Sequence, residues 1–230
     1  MTVKTRTRTV ATEDILMKLC DSVESVLLAA TNKKISHSVM VQKIHKTSLR
    51  PDLGCFVLFD GGFSGLVVIN FTAAAAIEIY QDYMVNMGMP QSELATLHTS
   101  DEVENVTGEL MNQIVGGFTS KIEQELQTVI SQNQPKMLSV NKNVVLSVDT
   151  NLDRPQARRV TFRTEQNNIF YLELAMDKTE FIQVGEIDNK GSSDPDEIIA
   201  NENERRSSST NSEKANGNGD NDDLLDELGI

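Results

Sequence analysis

The sequence predicts an α+β fold in which a mixed or antiparallel sheet is backed by two long helices. Residues 12–32, 72–87 and 100–132 have the composition and apolar spacing of helices. Two groups of three segments show the alternation or the short apolar runs that are typical of strands. The order is therefore a helix, three strands, a helix, a long helix and three strands, so that a unit of helix plus strands occurs twice.

The ends of the predicted helices follow from capping and helix-breaking residues. The first helix has Thr12 as its predicted N-cap and Asn32 as its stop. The alanine-rich second helix ends before Gly88. The third helix begins at Ser100, runs to about Gln132 and stops before a proline. Acidic residues in the first turns of the first and third helices suit the positive end of the helix dipole.

Six strands are predicted around these helices. A hairpin turn at Asp60-Gly61-Gly62 separates the second strand from the third, because glycine tolerates a positive φ. The predicted strands span residues 34–46, 55–59, 64–71, 137–148, 159–164 and 169–176.

Composition and charge limit the classes of function. The net charge is −13, and residues 186–230 alone carry −9. Because a protein that binds phosphate backbones needs a positive surface, we expect no nucleic-acid binding. Cys20 and Cys55 are isolated and lie among apolar neighbours, which predicts buried thiols rather than a disulfide or a zinc site.

No segment predicts contact with a membrane. The longest apolar run, residues 66–79, is short for a bilayer span and contains polar residues. The basic residues near the N-terminus are not followed by the apolar stretch of a signal peptide. We therefore expect a soluble, cytoplasmic protein.

The chain divides into four predicted parts. Residues 1–11 are expected to be a flexible N-terminus, and residues 12–185 a single folded domain. Residues 186–220 are acidic, rich in Ser, Asn and Gly, and too poor in apolar residues to offset the entropy of ordering, so this linker is predicted to be disordered. Residues 221–230 have a small apolar stripe that predicts a short amphipathic helix.

The predicted long helix has one apolar and one polar face. At about 100° per residue, its apolar residues form a core-facing stripe. Asn105, Glu109, Asn112 and Gly116 share the opposite face, and Gly108 lies at its edge. A glycine within a helix costs about 1 kcal/mol relative to alanine, and close approach of another surface is one reason to tolerate that cost. The simpler interpretations are a solvated polar face and glycines that pack against a strand of the same domain.

This helix resembles the signature of the CheC/CheX/FliY family of response-regulator phosphatases. The family has Glu-x-x-Asn on a helix, an Asp or Ser four residues before the Glu, and a Pro after twenty-two further residues. Glu109 and Asn112 match the first element, and Pro135 stands at the expected spacing. Asn105 departs from the family, which has Asp or Ser there. The single Glu-x-x-Asn site in this register indicates the CheX branch, since members of the CheC branch carry two.

The resemblance implies a CheC/CheX-like α+β fold and a phosphatase that hydrolyses the aspartyl phosphate of a CheY-like receiver domain, in chemotaxis or related two-component signalling. Glu109 and Asn112 would be the catalytic residues, supported by the residues at positions 105, 108, 116 and 135. The Mg²⁺ ion would belong to the phosphorylated partner, so no metal or cofactor of the chain's own is expected. CheX relatives dimerise through sheet edges, which implies a homodimer. The alternative is a non-catalytic module that binds a receiver or a flagellar-switch protein.

The last ten residues show a second resemblance, to the C-terminal CheY-binding helix of CheZ, an unrelated all-helical chemotaxis phosphatase. An isolated helix of this length is marginal in water, so it needs a surface on which to fold. The resemblance implies that it docks on the receiver and tethers it, whereas the alternative is that it docks on its own domain or frays. The residues assigned to this contact are Asp222, Asp223, Leu224, Leu225, Asp226, Leu228 and Ile230.

Overall fold

The structure is a computed structural model that describes residues 8–140, 142, 144–148, 150–152, 155–178 and 181–183. The chain divides into two units, residues 1–184 and 185–230, and all described residues lie in the first. The predicted linker and C-terminal helix thus lie outside the described residues.

The described residues form three α-helices and twelve short or medium strands. The helices are α1 (Thr12–Thr31), α2 (Ala73–Asn86) and α3 (Asp101–Leu126), and a 3-10 helix spans Gln91–Glu93. The first six strands are β1 (Arg8–Val10), β2 (Ser36–His37), β3 (Gln42–Ile44), β4 (Thr47–Leu49), β5 (Leu53–Gly61) and β6 (Gly65–Phe71). The other six are β7 (Ile130–Gln132), β8 (Lys136–Ser139), β9 (Leu146–Val148), β10 (Gln156–Arg163), β11 (Ile169–Met176) and β12 (Phe181–Gln183).

The main sheet is antiparallel at every described pairing. Its order is β2-β10-β11-β6-β5-β7, with β3 also on β10 and β8 also on β5. Strands β7 and β8 therefore form one interrupted edge, and β2 and β3 form the other. Two small ribbons, β1 with β12 and β4 with β9, complete the described strands. The predicted α+β class is confirmed, and antiparallel pairing is the form that the sheet adopts.

The sheet lies between the helices and the β4–β9 ribbon. Alternate side chains of β6 explain this arrangement: Val67 and Ile69 join the large core under the helices, whereas Leu66 and Val68 join a second cluster with Leu49 of β4. Every residue of β6 is buried. A strand covered on both faces is largely apolar, which is why this segment lacks the polar alternation of a half-exposed strand. Its one polar residue, Asn70, is buried and hydrogen-bonded to the backbone of Ser48 and Arg50.

Three of the predicted boundaries are wrong. The long helix ends at Leu126 rather than near Gln132, because Gln127 turns into the left-handed region (φ 49°) and β7 begins at Ile130. Residues 34–46, predicted as one strand, contain two short strands separated by irregular backbone. The strand predicted over 137–148 is replaced by β8 and β9, and the described residues between them, 140, 142, 144 and 145, are not in a strand.

Part of the N-terminus that was predicted to be flexible is a strand. Arg8–Val10 pairs with Phe181–Gln183, and Val10 is fully buried, so these residues belong to the folded domain. Residues 1–7 lie outside the described part of the chain.

Candidate functional site

Helix α3 carries the candidate site on the side that faces away from the core. Nine of its residues are buried at helical spacing, among them Val103, Leu110, Ile114 and Phe118. Ser100 occupies the N-cap position, and the first turn is acidic, which favours helix formation through the helix dipole. The apolar stripe sets the rotation of the helix, so the polar face is directed outward.

Three polar side chains predicted for the site share this outward face. Asn105, Glu109 and Asn112 are all exposed and succeed one another at about one helical turn. We call this surface the α3 ridge. The carboxylate of Glu109 and the carboxamide of Asn112 are therefore both accessible to a partner molecule.

Gln132 of β7 holds the Asn112 side chain. Its Nε2 donates a hydrogen bond of 3.1 Å to Oδ1 of Asn112. The other amide atom of Gln132, Oε1, is buried without a hydrogen-bond partner among the described residues. The sequence pattern predicts residue 132 as the end of the long helix, so this contact between a helix and a strand was not predicted. No glycine or proline marks the end of the helix near residue 127, so the local sequence held no signal for this contact.

Glu109 has a weaker local partner. Nε2 of Gln113 donates a hydrogen bond of 3.0 Å to Oε1 of Glu109, across one turn of α3. This exposed bond involves a neutral amide, so the charge of the carboxylate is not compensated by it. Among the described residues Glu109 has no cationic partner, and the carboxylate is available to a cation on another molecule.

The glycines of α3 have different surroundings. A Cβ at Gly108 would lie 3.5 Å from Cγ of Met137, and one at Gly116 would lie 3.8 Å from Nε2 of Gln132, both ordinary contacts. The chain itself therefore does not require glycine at these two positions. Gly117 does face a close neighbour, because a Cβ there would lie 3.0 Å from Oγ of Ser22. This neighbour belongs to α1, so the glycine allows two helices to pack closely and does not pack against a strand.

Pro135 lies in the break between β7 and β8. The flanking strands both pair with β5. The segment borders the α3 ridge because Gln132, before the proline, bonds to Asn112 and Met137, after it, lies beside Gly108. The proline has no backbone N–H, which suits a break in the ladder. The proline that stands at the expected distance from Asn112 in the sequence thus lies beside the α3 ridge in the structure.

Charge is distributed unevenly along α3. Asp101 and Glu102 are exposed at its N-terminal end, and Lys121 is exposed near the other end. Lys136 is exposed at the start of β8. Within the described residues no group of three or more His, Cys, Asp or Glu side chains could hold a metal ion. The functional groups of the ridge itself are the Glu109 carboxylate and the carboxamides of Asn105 and Asn112.

None of the helices within the described ranges is both long enough and apolar enough to cross a bilayer. The seven residues assigned to the C-terminal contact, from Asp222 to Ile230, lie outside the described residues, as does the rest of the acidic tail.

Comparison with known proteins gives one family match and a consistent set of structural matches. The family model described as "Protein of unknown function (DUF3334)" matches residues 6–230. A comparison with curated proteins finds no match.

Solved structures with the same fold are CheX and CheC-like proteins. CheX from Desulfovibrio desulfuricans is 14% identical, with a TM-score of 0.59, over 71% of this chain and 99% of that one. CheX from Vibrio vulnificus is 17% identical, with a TM-score of 0.58, over 71% and 99%. The CheX-CheY-BeF3-Mg²⁺ complex from Borrelia burgdorferi matches at 16% identity and a TM-score of 0.53, over 71% and 98%. The CheX/CheC fold expected from the sequence is confirmed, and the chain belongs to the family described as DUF3334.

Proposed function

We propose that this protein is a phosphatase that hydrolyses the aspartyl phosphate of a CheY-like receiver domain. The observation that carries the proposal is the exposure of the Asn112 carboxamide on the α3 ridge, one turn after the exposed carboxylate of Glu109. The fold adds support, because one structure that shares it is a CheX-CheY-BeF3-Mg²⁺ complex.

The reaction needs little covalent chemistry from the protein. Water attacks phosphorus, the bond between phosphorus and the aspartyl oxygen breaks, and the aspartate leaves as a carboxylate while the water proton passes to phosphate or solvent. Positioning of the attacking water in line with the leaving group supplies much of the rate enhancement in such reactions. A carboxamide is no base, but it is well suited to orient a water molecule by hydrogen bonding.

Two ridge residues and two neighbouring glycines of α3 have distinct roles in this proposal. Asn112 hydrogen-bonds the attacking water. Glu109 forms an ion pair with the active-site lysine of the receiver and so fixes the docked orientation. Gly108 and Gly116, which keep the helix surface low, let the receiver approach. The Mg²⁺ ion is bound by the receiver, and the chain contributes no metal ligand.

The alternative function is receiver binding without catalysis, and one observation favours it. Asn105 stands where the CheC/CheX/FliY signature has Asp or Ser, and its side chain is exposed. A carboxamide there lacks the charge of Asp, so support for Glu109 would differ from that in the family. A flagellar-switch protein belongs to the same alternative, as does a receiver that is only sequestered.

Recruitment by the C-terminal peptide is a separate part of the proposal. A flexible linker over residues 186–220 would span on the order of 30 Å, which is the size of one receiver domain. Such a tether raises the local receiver concentration to roughly millimolar. A homodimer through a sheet edge stays a prediction.

The decisive experiment measures the decay of a phosphorylated CheY-like receiver at substoichiometric protein. The wild type should accelerate decay, and Asn112→Ala should lower kcat by about 10²- to 10³-fold, the usual cost of a lost preorganised hydrogen bond. Affinity for the BeF3-loaded receiver should stay within about twofold, since Glu109 still fixes the docking. Gln124→Ala, an exposed amide on α3 outside the ridge, is the matched control and should behave as wild type.

Two results would contradict the proposal. Wild-type decay rates with Asn112→Ala would show that this carboxamide is not catalytic. Binding of the receiver without any acceleration by the wild type would establish the non-catalytic alternative, and Asn105→Asp would then test whether the departure at this position accounts for the lost activity.

A further inference from the structure

We propose that Gln132 is a positioning residue that determines which end of the Asn112 carboxamide faces the partner. This positioning role rests on the proposed function of the α3 ridge. The observation that supports it is the hydrogen bond of 3.1 Å from Nε2 of Gln132 to Oδ1 of Asn112. With Oδ1 turned toward β7, the NH2 group of Asn112 is presented outward.

Gln132 is well placed for this task because its backbone is fixed by the sheet. Its strand, β7, pairs with β5 at Phe59↔Gln132 and Asp60↔Ser131. The next N–H, of Asn133, donates to the carbonyl of Leu58 at 2.9 Å. A side chain anchored on a strand therefore reaches across to a side chain on α3, twenty positions earlier in the chain. The Asn112 side chain is therefore held by a residue of the sheet edge and not by its own helix.

The surroundings of Gln132 favour one orientation of its own amide. Oε1 lies in a buried place with no hydrogen-bond partner among the described residues. If the amide were turned round, that place would hold an NH2 group, and its two donors would be unpaired there. Buried unpaired N–H groups are rarer in proteins than under-satisfied carbonyl oxygens. Gln132 thus acts as a donor toward Asn112, and Asn112 accepts through Oδ1.

This orientation has a chemical consequence at the ridge. The terminal torsion of an asparagine is broad, so an unrestrained carboxamide would present its oxygen and its nitrogen in turn. The Gln132 bond selects the nitrogen. Two N–H donors then face the docked receiver, and one of them donates to a lone pair of the attacking water while the other lone pair faces phosphorus. Gln132 contributes to kcat through Asn112 and does not touch the substrate.

The test compares two substitutions that keep the size of the side chain. Gln132→Glu is isosteric but only accepts, so it attracts the NH2 group of Asn112 and turns the oxygen outward. Gln132→Leu removes the hydrogen bond and leaves the carboxamide unrestrained. We expect kcat to fall roughly two- to tenfold for Gln132→Leu, the usual range for one lost neutral hydrogen bond, and further for Gln132→Glu. KM should stay within about twofold in both, because Glu109 is untouched.

A second readout needs no receiver and no activity. The side-chain NH2 signals of Asn112, assigned in an NMR spectrum by their loss in Asn112→Ala, should shift in Gln132→Glu, and their exchange with water should slow as they bond to the carboxylate. Gln124→Glu is the matched control for the added charge and should change neither these signals nor kcat. If Gln132→Glu fails to fold, Gln132→Leu and the wild-type cross-peak between the Gln132 and Asn112 side chains decide the question.

The outcomes separate this inference from the proposed function. An unchanged kcat in both Gln132 variants, with Asn112→Ala inactive, overturns the positioning role and leaves the phosphatase proposal intact. An inactive wild type overturns the phosphatase proposal, and the Asn112 signals still decide the geometry. Unchanged Asn112 signals in Gln132→Glu overturn the inference in either case.

Discussion

The hydroxyl of Ser22 on α1 donates a hydrogen bond of 2.8 Å to the carbonyl oxygen of Ile114 on α3. Both residues are buried, at 1% exposure each. Ile114 lies two residues after Asn112, so this bond ties the helix that carries the ridge to its neighbour close to the candidate site. Gly117 makes the approach possible, because a Cβ there would lie only 3.0 Å from Oγ of Ser22.

We therefore predict that Gly117→Ala and Ser22→Ala are coupled. Gly117→Ala gains helix propensity but displaces the Ser22 hydroxyl, and the loss of packing and of the hydrogen bond should outweigh the gain, which is about 1 kcal/mol. In the Ser22→Ala background the same change should stabilise the protein, because the close contact is gone. Urea denaturation of the wild type, the two single variants and the double variant would give a coupling free energy of about 1 kcal/mol.

Gly116→Ala is the matched control for this cycle. Its Cβ would lie 3.8 Å from the Gln132 side chain, so it should gain stability by up to about 1 kcal/mol. If Gly117→Ala stabilises the wild type as much as Gly116→Ala does, the close contact with Ser22 has no energetic weight.

We predict that both thiols are unreactive in the folded protein. Burial raises the pKa of Cys20 to about 12, with smaller contributions from Asp21 and Glu24, and burial alone raises that of Cys55. The thiolate is the nucleophile, so a disulfide reagent at pH 8 should label neither residue until urea unfolds the chain. Stoichiometric labelling in native buffer at the rate of a free thiol would contradict this.

The same shifts fix the sign of a pH effect. Because the folded pKa of each thiol is higher than its unfolded value, which lies near 9, folding favours the protonated form. The stability contributed by the neutral thiols is present below about pH 9 and is lost as the pH rises toward the folded values. Cys55→Ala should therefore show a smaller decrease in the free energy of unfolding between pH 8 and pH 10 than the wild type, as measured by urea denaturation.

Local patterns predict the extent of α1, α2 and β11 well because each is a continuous element with a clear apolar pattern. The predicted N-cap of α1 is wrong by one residue, since Ala11 occupies that position and Thr12 is the first residue of the helix, whereas the predicted stop at Asn32 is confirmed. The ridge was predictable for the same reason, since the spacing of Asn105, Glu109 and Asn112 is fixed by the pitch of one helix. The role of Gln132 was not, because its contact depends on where α3 ends. Gln127 ends the helix in a left-handed conformation without a glycine, and no nearby proline interrupts the pattern before Pro135.

Contacts between distant segments were also beyond local patterns. Arg8–Val10 pairs with Phe181–Gln183, two three-residue strands at opposite ends of the domain. Glu173 is fully buried on β11, and it accepts hydrogen bonds from the N–H of Ser48 and from the guanidinium of Arg159. A buried carboxylate in a strand is explained only by partners that the tertiary fold supplies.

We predict that removal of residues 221–230 weakens receiver binding and leaves the chemistry intact. The peptide carries four acidic residues and a stripe formed by Leu224, Leu225 and Leu228, so a groove on the receiver would bury the leucines and pair the acids. Loss of a tether of roughly millimolar effective concentration should raise KM at least tenfold, whereas kcat at saturating receiver should change less than twofold, because the α3 ridge is untouched.

A chain whose last ten residues are scrambled is the control for this deletion, because it keeps length and charge but destroys the leucine stripe. If the stripe is what docks, the scrambled chain should have the high KM of the truncated one, and Leu224→Ala with Leu228→Ala should have most of the same effect.

A scrambled chain that binds like the wild type would show that charge alone recruits the receiver, and an affinity unchanged by the deletion would remove the tether from the proposal. A rise in salt from about 50 to 200 mM separates the two attractions, because screening weakens exposed charge pairs while burial of leucines persists.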